Sequence, residues 1–283
     1  MITQQEVLDQ LLNFARSDDN VRLVVFNGSR VNPNAPKDLF CDYDVCFVCR
    51  DYQHLLYDHS WIPDFGQIAI VQQNAIDEEK GSGDIIMTQF MNGVRLDLSF
   101  VPLDNLEVAL NDSLTVVLLD KDGLLPPLPP PDERSYYPEK PSQKRYDEVT
   151  NEFWWVLAYV AKGIWRDELS YAQSMYQVVI EQLVTVTKWY IAARRGWQVN
   201  PGKQGKWFRR FLPDELWQQF PGIYASGDYA DLWRALFSAG KLFRQIGMDV
   251  AKKLGYTYPL EDDQRVTEFI HRVQSLPPSA SEL

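Results

Sequence analysis

Apolar positions repeat with two periods along this chain, and the change from one to the other divides it. In residues 4–16, Val7, Leu8, Leu11, Leu12 and Ala15 fall three and four apart, which places them on one stripe of a helix. Residues 21–26 form a short β-rich run that stops at Asn27-Gly28-Ser29, so a strand and a turn follow the helix. A polar loop over 30–39 leads to a second strand at 41–49, and 67–72 reads as a third. Residues 85–91 and 94–101 flank Asn92-Gly93, whose tolerance of positive φ predicts a β-hairpin closed by a type I′ turn. Later the period lengthens. Segments 146–165, 168–195, 229–254 and 262–274 carry apolar residues at helical spacing, as in Phe153, Val156, Leu157, Val160 and Ile164.

The two regimes meet at Leu124-Leu125-Pro126-Pro127-Leu128-Pro129-Pro130-Pro131. Its prolines lack the backbone donors that a helix or a central strand needs, so this segment is expected to be extended and to mark a domain boundary. The expectation is therefore an α+β protein: a domain over 1–131 with a mixed sheet flanked by helices, and an all-helical bundle over 132–283. A length of 283 residues agrees, being more than one compact core usually holds.

Charge narrows the partners. Against 28 Lys and Arg stand 39 Asp and Glu, a formal net charge of −11. Such a field repels nucleic acid and favours cationic ligands. Residues 1–20 hold no continuous apolar stretch and no segment is apolar enough to span a bilayer, so the expected location is the cytoplasm, away from membranes. Three cysteines do not suggest a disulfide framework. Cys46 and Cys49 have C-x-x-C spacing, but on a strand that separation sends the side chains to opposite faces, against a shared metal or redox pair. His54, His59 and His271 show no metal-binding spacing.

The chemistry concentrates in Gly28-Ser29 and Asp42-Tyr43-Asp44. Strand residues two apart face the same way, so Asp42 and Asp44 present paired carboxylates while Tyr43, Val45 and Phe47 face a core. In Arg95-Leu96-Asp97-Leu98-Ser99-Phe100, alternation puts Asp97 with Arg95 and Ser99 on the polar face. If that strand lies beside the Asp42 strand, three carboxylates converge. Such a set suits Mg²⁺, and two ions can clamp both oxygens of an in-line displacement at phosphorus. The reaction then needs a triphosphate, whose oxygens the amides around Gly28 and Ser29 can hold.

Gly-Ser, a spacer, Asp-x-Asp and a later-strand carboxylate resemble the signature of the DNA polymerase β-like nucleotidyltransferases. Asn27-Gly28-Ser29-Arg30, Asp38-Leu39-Phe40-Cys41-Asp42-Tyr43-Asp44, Arg95-Leu96-Asp97-Leu98, Trp165-Arg166-Asp167-Glu168-Leu169 and Gly202-Lys203-Gln204-Gly205-Lys206 together resemble the aminoglycoside 6-adenylyltransferases. The resemblance implies transfer of AMP from ATP to the 6-hydroxyl of streptomycin, release of pyrophosphate, and antibiotic resistance. It implies Asp42, Asp44 and Asp97 as catalytic, metal-binding residues, with Asp97 either a ligand of the second ion or the general base. Gly28, Ser29, Arg30, Lys203 and Lys206 are then expected at the nucleotide.

Asp167 and Glu168 either cap the following helix, or face its positive end, or meet the acceptor's guanidinium groups. Trp165 and Tyr171, with Trp154 and Trp155, either offer aromatic faces to cations or pack the core. The metal core does not encode the acceptor, so a lincosamide-type acceptor, or an inactive nucleotide-binding sensor, stays open at this level.

Overall fold

A single mixed sheet organises the first of two units, Met1–Ser135. The computed structural model describes residues 3–76 and 82–282. The strands are β1 (Val21–Asn27), β2 (Tyr43–Cys49), β3 (Ile68–Ala75), β4 (Asp84–Phe90), β5 (Arg95–Pro102) and β6 (Thr115–Asp120), in the order β3-β4-β5-β2-β1-β6. β2 and β5 pair in parallel, and the other neighbours are antiparallel. Helices α1 (Gln4–Ser17), α2 (Gln53–Tyr57) and α3 (Leu106–Leu110) flank the sheet.

α1 begins in a capping box: the Glu6 amide donates to the Thr3 hydroxyl at 3.2 Å while the Thr3 amide donates to the Glu6 carboxylate at 2.6 Å. Its stripe of Val7, Leu11 and Ala15 is buried with Tyr43, Val45, Phe47, Leu96, Leu98 and Phe100. The opposite face is buried too, with Leu23, Val25, Cys46, Val48 and Val101 packed with Ala109 of α3. β2 therefore runs between two cores, which is why its sequence is almost continuously apolar. Cys46 and Cys49 lie in different cores, both free, and burial pushes the Cys46 thiol up to about 12.

The structure differs from the sequence reading in several details, among them the short helices α2 and α3, which that reading lacks. β2 starts at Tyr43 rather than at residue 41, so Asp42 stands on the approach to the strand. The β4–β5 hairpin does not use a type I′ turn, because Asn92 is not among the residues with positive φ. Gly93 alone takes it, at 89°, with its amide bonded to Phe90 O (3.1 Å) and the Phe90 amide to Val94 O (2.9 Å), the pattern of a three-residue loop. β6 was not anticipated. Its register is set by β1, and the Asp120 carboxylate that ends it accepts the Leu124 and Leu125 amides at 3.0 and 3.1 Å, leading into the proline-rich segment.

The second unit, Tyr136–Leu283, is helical: α4 (Gln143–Trp165), α5 (Leu169–Arg194), α6 (Phe208–Phe211), α7 (Asp214–Trp217), α8 (Tyr229–Leu254) and α9 (Leu260–Ser275). The sequence places the boundary at residue 131, and the two compact units divide between Ser135 and Tyr136. Phe153 of α4 stacks on Phe243 of α8 with centroids 3.6 Å apart, and Trp154 is buried beside them. The carboxylate of Asp263, wholly buried, accepts bonds from Arg244 Nε (2.6 Å), the Tyr258 hydroxyl (2.7 Å) and the Thr267 hydroxyl (3.2 Å). Among the described residues no helix is long and apolar enough to cross a membrane.

Candidate active site

The parallel pairing of β2 with β5 makes Asp44 and Asp97 direct partners. Asn27 at the end of β1 is the partner of Asp44 on its other side. Paired residues point to the same face of a sheet, so Asn27, Asp44 and Asp97 form a row across three strands, on the face where Cys46 and Val48 continue as core. Burial, and then the charges of Asp97 and Asp42, push the Asp44 carboxyl up to about 6.

Arg95 supplies the cation in this row. Its Nε lies 2.8 Å from Asp97 Oδ1, a second guanidinium nitrogen lies 2.8 Å from Oδ2, and Nε is 3.8 Å from Asp42 Oδ1. Asp42 and Asp97 are thereby gathered around one positive group. As they stand, no three His, Cys, Asp or Glu side chains among the described residues converge on a point where a metal ion would be held. In donor type the site nevertheless fits a hard cation. Its carboxylates already collect positive charge, and Asn27 Oδ1 in the same row is buried without a hydrogen-bond partner.

The turn Gly28–Arg30 borders Asp44 closely. Gly28 has φ 75°, and a Cβ there would lie 2.2 Å from Asp44 Oδ2, so only glycine fits. Its amide donates to Leu114 O at 3.2 Å. Lys37 ties the turn from behind, its Nζ donating to the carbonyls of Ser29, of Arg30 at 2.9 Å and of Asn32 at 2.6 Å. The Arg30 side chain is engaged within the protein. Its guanidinium stacks 3.7 Å over the Tyr43 ring and donates to Cys41 O at 2.7 Å and to Asp42 O at 3.2 Å, which fixes the backbone that carries Asp42.

The helical unit places its candidates in two groups. At the corner between α4 and α5, Asp167 has φ 61° although it is not glycine. The Asp167 amide donates to Ile164 O (3.1 Å) and the Glu168 amide to Gly163 O (2.9 Å), which is a Schellman ending of α4. Asp167 therefore belongs to the end of α4 and does not cap α5, while Glu168 is the N-cap residue of α5 but makes no side-chain cap bond. The Asp167 carboxylate accepts the Tyr229 hydroxyl at 2.8 Å. Tyr171 is 42% exposed, whereas Trp165 packs against the helical core with its indole nitrogen buried and unpartnered.

Trp154 is a core residue, and Trp155 is exposed with its Nε1 donating to the Tyr159 hydroxyl at 2.7 Å. Lys203 and Lys206 are exposed on the turn after α5, where Gly202, Gln204 and Gly205 all have positive φ. Lys206 Nζ sits 5.1 Å over the Trp207 ring. Sequence reasoning did not single out Asn27, Lys37, Arg95 or Tyr229 for a role. Arg95 was already on the face of Asp97 by strand alternation, and what the sequence left open was its role.

A family model described as streptomycin adenylyltransferase matches residues 1–273. The aminoglycoside 6-adenylyltransferase of Bacillus subtilis (strain 168) is 33% identical over 276 residues, covering 95% of this chain and 97% of that protein. That of Campylobacter jejuni is 33% identical over 279 residues, covering 96% of each. That of Staphylococcus aureus is 29% identical over 266 residues, covering 92% of this chain and 94% of the other. The matched span takes in both units, the aspartate row with its glycine turn and the helical corner alike, and so the chain belongs to the streptomycin adenylyltransferase family and is a nucleotidyltransferase.

Proposed function

We propose that this chain transfers the AMP moiety of ATP to the 6-hydroxyl of streptomycin or a closely similar aminoglycoside, with release of pyrophosphate, and thereby confers resistance to the drug. The observation that carries the reading is the Asp44–Asp97 pairing across β2 and β5 beside the Gly28 turn. Asp42, Asp44 and Asp97 would hold Mg²⁺, which when bound neutralises phosphate charge. The Gly28–Arg30 turn cradles the triphosphate, with Lys203 and Lys206 as further cations. The acceptor oxygen bonds to the α-phosphorus, the bond from that phosphorus to the bridging oxygen breaks, and pyrophosphate carries away the electron pair.

The hydroxyl proton goes to a carboxylate, and Asp97 serves as that base or as a metal ligand. In the helical unit, Asp167 and Glu168 bind the guanidinium groups of the acceptor, with Tyr171 and Trp165 beside them. The net charge of −11 favours a polycationic drug in the same sense. Mixing the protein with ATP, Mg²⁺ and streptomycin should release pyrophosphate and add one AMP to the drug. Silence from folded protein across a panel of aminoglycosides rejects the reading, and AMP on a lincosamide instead would move it to another acceptor.

A further inference from the structure

Arg95 occupies the place in the carboxylate row where positive charge is needed. Both oxygens of Asp97 receive its hydrogen bonds, and Asp42 stands on its other side at 3.8 Å. Asp97 is only 13% exposed in its side chain, whereas Arg95 is 41% exposed, and its other recorded neighbour is the weak acceptor Met87 Sδ at 3.8 Å. The carboxylate is the more buried partner, and the guanidinium is the one that borders solvent. A divalent ion taken up by Asp97 and Asp42 would meet that guanidinium as like charge against like charge. A partly exposed ion pair is weak enough to be given up in exchange.

We propose that Arg95 is a positioning residue, an internal counter-ion that holds Asp97 and Asp42 together in the metal-free protein and is displaced from Asp97 when the divalent ion binds. The inference rests on the assignment of Asp42, Asp44 and Asp97 as the metal carboxylates. Two consequences follow from the geometry. The cluster is assembled before metal arrives, because the guanidinium offsets the mutual repulsion of its carboxylates. Metal affinity is lowered by the free energy of the Arg95–Asp97 contact, so the ion is held firmly only once the phosphates of the nucleotide add their own ligands.

The test follows the arginine and the metal separately. In ¹⁵N–¹H spectra, the Arg95 Nε–H signal, assigned by its loss in Arg95→Lys, should be shifted and protected from exchange in metal-free protein, and should return to the position of a solvated arginine as Mg²⁺ saturates. Mn²⁺ binding followed by electron paramagnetic resonance should be about fivefold tighter in Arg95→Ala, the scale of a partly exposed ion pair. It should also be tighter in Arg95→Lys, which keeps the charge but loses the paired bonds.

Metal binding with an unmoved Arg95 signal, or affinity in Arg95→Lys no better than in the parent, overturns the proposal and leaves the catalytic assignment standing. Absence of Mn²⁺ binding, or binding that survives Asp44→Asn, overturns both. Should Arg95→Ala fail to fold, the parent spectra and Arg95→Lys carry the test.

Discussion

Asp44 and Asp97 are side-by-side partners on the two parallel strands of an otherwise antiparallel sheet. A parallel pair requires a crossover connection, and here the chain between β2 and β5 makes it through α2, β3 and β4. Two carboxylates distant in sequence thereby become neighbours at one end of the sheet, with the Gly28 turn pressed against the first of them.

Asp44 bears the electrostatic load of the cluster in metal-free protein. Its folded-state carboxyl titrates near 6 instead of the ordinary 3.8, so the folded state favours the protonated form. The stability this contributes is complete below about pH 3.8 and is lost as pH rises through about 6. Urea unfolding in chelator should therefore show Asp44→Asn gaining on the parent between pH 4 and pH 7, by about 3 kcal/mol for a shift of this size. A constant difference across that range contradicts the assignment, and Mg²⁺ should shrink the gain by stabilising only the parent.

Gly28 is fixed by two constraints at once, a positive φ and contact with Asp44. Gly28→Ala should cost about 1–3 kcal/mol from backbone strain and should displace the Asp44 carboxylate. Thermal melts and pyrophosphate release measure the two effects, and an alanine variant of normal stability and turnover would show that the turn has more room than its geometry allows.

Arg30 acts through Asp42. Because its guanidinium grips the carbonyls of Cys41 and Asp42, Arg30→Ala should lower stability by about 1–2 kcal/mol. It should lower kcat more than it raises the KM for ATP. A rise in KM for ATP alone would instead mean that the side chain leaves these carbonyls for the nucleotide.

At the helical corner, Asp167 adopts a conformation that glycine takes more readily. Asp167→Gly should therefore melt no lower than the parent, and by up to about 1 kcal/mol more stable, while the KM for streptomycin rises and that for ATP does not. Tyr229→Phe should reproduce part of the KM effect, since it removes the hydroxyl that holds the carboxylate at 2.8 Å. Loss of stability without a KM effect in both variants assigns this corner to folding alone.

Much of the sheet could be read in advance, because a central strand such as β2 is apolar on both faces and the hairpin is punctuated by Asn92-Gly93. The long helices α1, α4, α5, α8 and α9 were equally legible, from stripes such as that around Phe153 and Val160, whereas α2, α3, α6 and α7, at four or five residues each, are too short to show a helical period. β6 was hidden because its short run of Val116, Val117, Leu118 and Leu119 has neither a turn signal pairing it with a neighbour nor distance from the proline-rich segment that follows. The type of the Asn92-Gly93 turn was not encoded in the dipeptide, since Gly93 can take positive φ with or without its neighbour.

In the site, period 2 groups Asp97 with Arg95 on one face of its strand, but the β2–β5 adjacency that brings Asp44 to Asp97 and the rotamer that lets Arg95 take both oxygens of Asp97 are seen only in the structure. Asp167-Glu168 reads equally as the end of one helix or the start of the next. Only the bonds to Gly163 and Ile164 decide which helix claims Asp167.

The most direct test of the central claim is the rate of pyrophosphate release with ATP, Mg²⁺ and streptomycin in the parent, Asp44→Asn and Asp97→Asn, each with its fold verified by circular dichroism. The arrangement of β2, β5 and the Gly28 turn demands activity in the parent that chelator removes, and a fall of at least about a hundredfold in each variant. Turnover close to that of the parent in either folded variant would contradict it.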